Sequence, residues 1–146
     1  MLRQGQFVPV LCQDIKPGDV LCVVKDERVP ADCVILGTPN EQGVCFVDTM
    51  NLDGETSLKR RTAVPYSNLY QSAEQLSYLS GCVECELPNE RLNAFEGVVT
   101  MDYPNRIRSI LPLTLDNLLL RGTYLRNTEF VYAVVLYAGS ETKLYK

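Results

Sequence analysis

The densest run of chemically capable side chains is Asp48-Thr49-Met50-Asn51-Leu52-Asp53-Gly54-Glu55-Thr56, which sets three carboxylates and a glycine in a short stretch after the apolar run beginning at Val44. A carboxylate presented at a loop tip is suited to act as general base toward an attacking water, and a glycine beside it lets the backbone approach a substrate closely. In that reading Glu55 is the base and Gly54 clears the approach. The same residues also make a sound turn, because Asp, Asn and Thr side chains bond nearby backbone amides and Gly accepts positive φ. A calcium loop fails: with Asn51, Asp53 and Gly54 at its third, fifth and sixth positions, the first and twelfth become Thr49 and Arg60, where acidic ligands are required. A glycosidase pair needs two carboxyls facing each other across a sugar cleft, and the chain has no Trp to line one. The base and the turn both stay open at this level.

Other chemistries are narrowed by what the chain lacks. It has no His, which removes imidazole bases, His-containing triads and nearly all catalytic zinc sites. Neither G-x-x-x-x-G-K-[ST] nor G-x-G-x-x-G occurs, so no nucleotide cradle is expected and no cofactor of the domain's own. Of the six Cys, Cys12, Cys22, Cys33 and Cys45 fall in apolar stretches and read as buried thiols, not as a disulfide framework. Cys82 and Cys85 form the one C-x-x-C, without a second pair to complete a zinc site, so no metal is expected. The basic cluster Lys59-Arg60-Arg61 reads either as a solvated face or as a contact for an acidic partner, with Lys59 the candidate electrostatic contact beside the loop. With 14 Lys+Arg against 18 Asp+Glu the formal charge is −4, which argues against nucleic acid as a partner.

The elements that must position this loop are mostly strands. The 146 residues, 46% hydrophobic and 22% charged, match one folded domain that buries roughly 70% of its unfolded surface. Runs rich in Val, Ile, Phe and Tyr predict strands at Asp19–Val24, Asp32–Leu36, Val44–Asp48, Gly97–Asp102 and Phe130–Ala138. Turn chemistry at Lys16-Pro17-Gly18-Asp19, Thr38-Pro39-Asn40 and Tyr103-Pro104-Asn105 separates them, which suggests a meander. Leu69, Ala73, Leu76 and Leu79 recur at helical spacing, with Ser72 and Gln75 as a capping box and Gly81 as terminator, so one short helix is inserted. The fold class is therefore mainly β, a distorted jelly-roll or β-sandwich with one short inserted helix. The first residues show no charged-then-apolar pattern, so no signal segment is expected, and the longest apolar run, Phe130 to Gly139, is about half of what spans a bilayer as a helix. A soluble cytosolic piece is expected.

Asn51-Leu52-Asp53-Gly54-Glu55-Thr56-Ser57-Leu58-Lys59 resembles the actuator-domain signature of P-type ATPases in its lipid-flippase form, where most ion-pumping relatives carry Thr-Gly-Glu-Ser. Lys16-Pro17-Gly18-Asp19-Val20 and Val29-Pro30-Ala31-Asp32 are similar to blocks shared by many such pumps. Closer to the type IV flippases are Cys85-Glu86-Leu87-Pro88-Asn89 with Phe95-Glu96-Gly97, Leu118 to Gly122 with Leu125-Arg126-Asn127-Thr128, and Gly139 to Lys143. Ser57 stands where flippases usually have Asn, and Asn93 where an aromatic is common.

The resemblance implies that residues 1–146 are a single actuator domain between the second and third membrane helices of a multi-pass pump, on the cytosolic face of a eukaryotic membrane. It implies that the domain docks its Asp-Gly-Glu-Thr loop on an aspartyl phosphate carried by another domain. Glu55 then positions and deprotonates the hydrolytic water, Asp53 shapes the loop, Gly54 keeps it clear and Thr56 donates to a phosphoryl oxygen. ATP and Mg are implied for the parent enzyme through other domains, and the isolated domain is expected to be inactive. Implied partners are the phosphorylation and nucleotide-binding domains and membrane helices of the same chain, a phospholipid substrate, and an accessory membrane subunit. Two alternatives stand beside this: the actuator of a cation or polyamine pump, and a free-standing acidic β-sandwich interaction module.

Overall fold

The computed structural model describes residues 1–3, 6–10, 12–65, 67–69, 71–72, 75–76, 80–85, 95–102 and 109–139. Its strands in chain order are β1 (Leu2–Arg3), β2 (Gln6–Phe7), β3 (Val20–Val24), β4 (Asp32–Gly37), β5 (Val44–Asp48), β6 (Lys59–Thr62), β7 (Ser80–Cys85), β8 (Gly97–Asp102), β9 (Ser109–Leu113), β10 (Leu118–Leu119), β11 (Tyr124–Arg126) and β12 (Phe130–Tyr137). The five strands expected from pattern are present, each displaced by one residue at most. The architecture is mainly antiparallel β, consistent with the expected sandwich.

A central sheet of order β10-β4-β12-β3 is flanked by a sheet of order β11-β5-β6 and another of order β7-β8-β9. A simple meander is therefore ruled out, because β4 pairs with β12, nearly a hundred residues later, and among the described residues only β1-β2, β5-β6 and β7-β8-β9 pair as sequential neighbours. The alternation of side chains along a strand explains how the layers meet. Cys33 and Ile35 of β4 join Val131, Ala133 and Val135 of β12 in one core with Cys45, Val47 and Leu125 from the β5/β11 sheet. Val34 and Leu36, on the opposite face, join Tyr132 and Tyr137 in a second core with Val99, Met101 and Leu113 from the third sheet. With both faces covered, every residue of β4 is buried, and its sequence runs Asp-Cys-Val-Ile-Leu-Gly without polar alternation. By contrast β5 alternates, burying Cys45 and Val47 only.

The turn before β3 forms as its sequence requires. The Asp19 N–H donates to the Lys16 carbonyl at 3.1 Å, the Lys16 N–H donates to Asp19 Oδ2 at 2.9 Å, and Gly18 holds φ +93°. Asn40 organises the β4–β5 connection, where its Oδ1 accepts from Gln42 N–H at 2.8 Å and its carbonyl from Gly43 N–H at 2.9 Å. The turn expected at 103–105 lies outside the described residues.

The helix expected from Leu69 to Leu79 also lies mostly outside them. Gln75 and Leu76 are helical, and Ser72 caps them: its carbonyl accepts from Leu76 N–H at 2.9 Å and its Oγ from Gln75 N–H at 3.2 Å. The Gln75 side chain reaches the Gln71 N–H at 2.8 Å, one residue upstream of the partner a reciprocal capping box would give it. Gly81 is no helix terminator; it lies in β7, opposite Met101 of β8. Among the described residues, α1 (Met50–Asp53) is a single helical turn within the acidic loop.

Asp32 explains why two distant sequence blocks matter together. Fully buried, it accepts the Arg121 N–H on Oδ1 at 2.9 Å, across 89 positions of sequence. Next to this bond the Gly122 N–H donates to the Val29 carbonyl and the Val29 N–H to the Thr123 carbonyl, at 3.1 and 2.8 Å. The Val29–Asp32 block is thereby tied to the 118–123 segment by hydrogen bonds that a buried backbone needs in any case.

Candidate functional site

Antiparallel pairing of Val47 with Lys59 makes residues 49–58, after Asp48 at the end of β5, the connecting loop of the β5–β6 hairpin. Its base is fixed by charge and by backbone capture. The Met50 N–H donates to Asp48 Oδ1 at 2.9 Å, while Asp48 Oδ2 faces Arg126 Nη2 at 3.9 Å. Arg126 itself is held by Asp26 Oδ1, 2.9 Å from Nη1, and lies over the Tyr124 ring. Leu52 packs against the second core, so the turn is anchored by an apolar side chain as well.

The tip is braced from within. Thr49 is buried, and its hydroxyl donates to the Asp53 carboxylate, 3.1 Å from each oxygen. Asp53 Oδ1 in turn accepts the Glu55 N–H at 2.9 Å. Between them Gly54 closes the helical turn: its N–H donates to the Met50 carbonyl at 2.9 Å and its φ is +75°, the left-handed conformation in which a Cβ is strained. A Cβ built there would meet nothing within 4 Å. The requirement for glycine is thus conformational inside this domain, and the space over it is open to another body.

Glu55 and Thr56 are exposed beside that space. The Glu55 Oε2 is ion-paired with Lys59 Nζ, four residues on and anchored in β6. Lys59, which the sequence leaves open between a solvated face and a contact for an acidic partner, here pairs with the loop's own glutamate. Arg61 is committed elsewhere, 3.7 Å from Asp116, and Arg60 is exposed. The structure brings Asp53, Gly54, Glu55 and Lys59 into one local assembly, with Thr56 adjoining it. Sequence reading gave no role to Thr49 or Arg126; their only signals were a Thr four residues before Asp53 and membership of the Leu125–Thr128 block.

The remaining sites are quieter. Cys33 and Cys45 are fully buried. Burial raises both thiols, Cys45 to about 12 despite the nearby Arg61 charge. Cys22 is partly exposed and Cys82 exposed, so burial of the expected four is confirmed for Cys33 and Cys45 and incomplete for Cys22; the Cys12 side chain lies outside the described set. Among the described residues no three His, Cys, Asp or Glu side chains stand close enough to hold a metal ion. No helix among them is long and apolar enough to cross a membrane. An apolar cleft of about 460 Å³ between the central and third sheets, lined by Leu36, Val83, Val99, Met101 and Leu136, takes no residue from the 48–59 segment.

A hairpin loop that presents a glutamate after a left-handed glycine, on a sandwich of antiparallel sheets, defines the class. The family model described as the P-type ATPase actuator domain matches residues 1–146, and the chain belongs to that family. Its relatives are larger proteins. It is 40% identical over 146 residues to Phospholipid-transporting ATPase C887.12 of Schizosaccharomyces pombe, covering all of this chain and 11% of that protein. It is 37% identical to Phospholipid-transporting ATPase IC of Homo sapiens, over all of this chain and 11% of the relative, and 37% identical to Phospholipid-transporting ATPase 2 of Arabidopsis thaliana, over 99% and 13%. The chain thus spans between 11% and 13% of the length of these curated relatives.

Proposed function

We propose that this chain is the actuator domain of an ATP-driven phospholipid-transporting pump and that Glu55 activates water for hydrolysis of an aspartyl phosphate on another domain. The observation that carries the reading is the exposed Glu55 carboxylate, next to the open space over Gly54 and held at its backbone by Asp53. The relatives' names support phospholipid as the cargo.

In this mechanism the loop enters the phosphorylation site, and Gly54 lets its backbone come close to the phosphoryl group. Water attacks phosphorus, the bond from phosphorus to the aspartate oxygen breaks with its electron pair left on the carboxylate, and Glu55 takes the proton of the water. The products are free aspartate and inorganic phosphate. Thr56 donates a hydrogen bond to a phosphoryl oxygen. ATP and Mg are handled by the phosphorylation and nucleotide-binding domains of the same chain. Rotation of the rigid β core pulls on membrane helices from the cytosolic face, which couples hydrolysis to lipid movement; an accessory membrane subunit is a further partner of the parent.

The test is the lifetime of phosphoenzyme in the full-length parent, wild type against Glu55→Gln, with and without phospholipids. Phosphoenzyme that forms normally, decays faster with lipid in wild type and persists in Glu55→Gln supports the reading, since a positioned general base contributes roughly 10² to 10⁴ in rate. Decay indifferent to Glu55 overturns the catalytic role; decay accelerated by an ion instead of lipid overturns the cargo.

A further inference from the structure

The ion pair between Glu55 and Lys59 bears on a problem that the proposed reaction creates. Docking a carboxylate on a phosphorylated aspartate brings negative charge toward negative charge in a site from which water is being excluded, where such repulsion grows. The segment from Asp48 to Lys59 holds three carboxylates and a single ammonium. Asp48 is matched by Arg126, and Asp53 is satisfied by the Thr49 hydroxyl and the Glu55 amide, neither of which carries charge. Arg126 is engaged by Asp26 and Arg61 by Asp116. Arg60, adjacent to Lys59 on an alternating strand, projects to the other face of β6. Lys59 is the cation that contacts Glu55 among the described residues, and its backbone is fixed by the ladder to Val47.

Resting on the reading of Glu55 given above, we infer that Lys59 is a positioning and charge-balancing residue, a counter-ion carried with Glu55 that lets this carboxylate approach the phosphorylated aspartate as half of a neutral pair. Anchoring matters here. A lysine on the far domain would have to be desolvated and aligned at each docking, whereas Lys59 arrives already oriented at the neck of the same hairpin. The inference predicts that the value of Lys59 depends on the charge of Glu55.

That dependence is measurable as a double-variant cycle in the full-length pump. The probe is orthovanadate, read as the concentration that halves the phosphoenzyme formed from ATP, a signal available even when decay is blocked. The expected result is that Lys59→Met raises this concentration about tenfold and slows phosphoenzyme decay, that Lys59→Arg restores most of both, and that in the Glu55→Gln background Lys59→Met shifts it less than about twofold. Normal phosphoenzyme formation from ATP in each variant reports a folded pump. An equal effect of Lys59→Met in both backgrounds overturns the inference, because Lys59 then acts on the phosphoryl group or the fold independently of Glu55. No effect in either background overturns it as well. If Glu55→Gln blocks decay but shows no coupling to Lys59, this inference alone fails; if Glu55→Gln leaves decay unchanged, the reading beneath it fails too.

Discussion

The Thr49 hydroxyl donates into the Asp53 carboxylate at 3.1 Å, four residues away across the single turn of α1. Asp53 is thereby oriented to receive the Glu55 N–H at 2.9 Å, so a buried threonine at the end of β5 sets the backbone of the exposed glutamate. Thr49→Val keeps the shape and removes the donor. We expect it to cost about 1 kcal/mol of stability and to slow phosphoenzyme decay in the parent, with Thr49→Ser close to wild type; thermal unfolding and decay rate are the two readouts. Decay unchanged in Thr49→Val would show that the Glu55 backbone needs no such bracing.

Gly54 separates conformation from access. At φ +75° with open space around the Cβ position, Gly54→Ala should lose about 1 to 2 kcal/mol, a drop of a few degrees in Tm, while Gly54→Asn, which tolerates the left-handed region, should lose less. Both, and Gly54→Val more strongly, should hinder dephosphorylation if the space over Gly54 receives the phosphoryl group. A Gly54→Asn pump that is stable and dephosphorylates normally would count against close docking at that atom.

Asp32 should act on stability and not on the loop. Asp32→Ala removes the acceptor of the Arg121 N–H in a fully buried position, and we expect a loss of about 2 kcal/mol in denaturant titrations. Asp32→Asn retains an oxygen acceptor and should lose less. An equal loss in the two variants would mean that the bond to Arg121 is not what Asp32 contributes.

Two buried thiols give the chain an alkaline limit. Cys33 and Cys45 stay protonated in the folded state above the ordinary thiol value of 9, whereas unfolding lets them ionise. The unfolded state then binds fewer protons, so stability is intact below about pH 9 and falls as pH rises toward 12, by about 1.4 kcal/mol per pH unit for each thiol. Cys45→Ala should reduce that slope by one proton. At neutral pH a thiol reagent should modify exposed Cys82 well before Cys33 or Cys45, which mass spectrometry of the labelled chain resolves.

The strands at Val44–Asp48 and Gly97–Asp102 were legible to the residue because their patterns are local: apolar side chains in a short run, closed by polar residues. Lys59–Thr62 carries no strand pattern of its own. Lys-Arg-Arg-Thr has little β propensity of its own, and it is extended because β5 pairs along its length while Asp116 answers Arg61 and the Asn117 side chain bonds the Thr62 carbonyl at 3.0 Å. Likewise, periodicity could not tell that β4 is covered on both faces, since the run from Cys33 to Leu36 fits any fully buried segment.

The sequence by itself determined the turn at Gly18, the acidic loop with its Gly54-Glu55 pair, the mainly β class and, through ordered motifs, the family. Those features depend on neighbours along the chain, where propensity and side-chain-to-backbone bonds act over a few residues. Only the tertiary structure decided the order β10-β4-β12-β3, the bond from Asp32 to Arg121, the anchoring of Asp48 by Arg126 and the engagement of Lys59 by Glu55. The first three join residues far apart in sequence. The last spans four residues but depends on β6 being held extended by β5 and on α1 turning the glutamate back toward it. Such pairings follow from which faces become buried and which charges remain to be matched once the sheets have packed, and neither quantity exists in the unfolded chain.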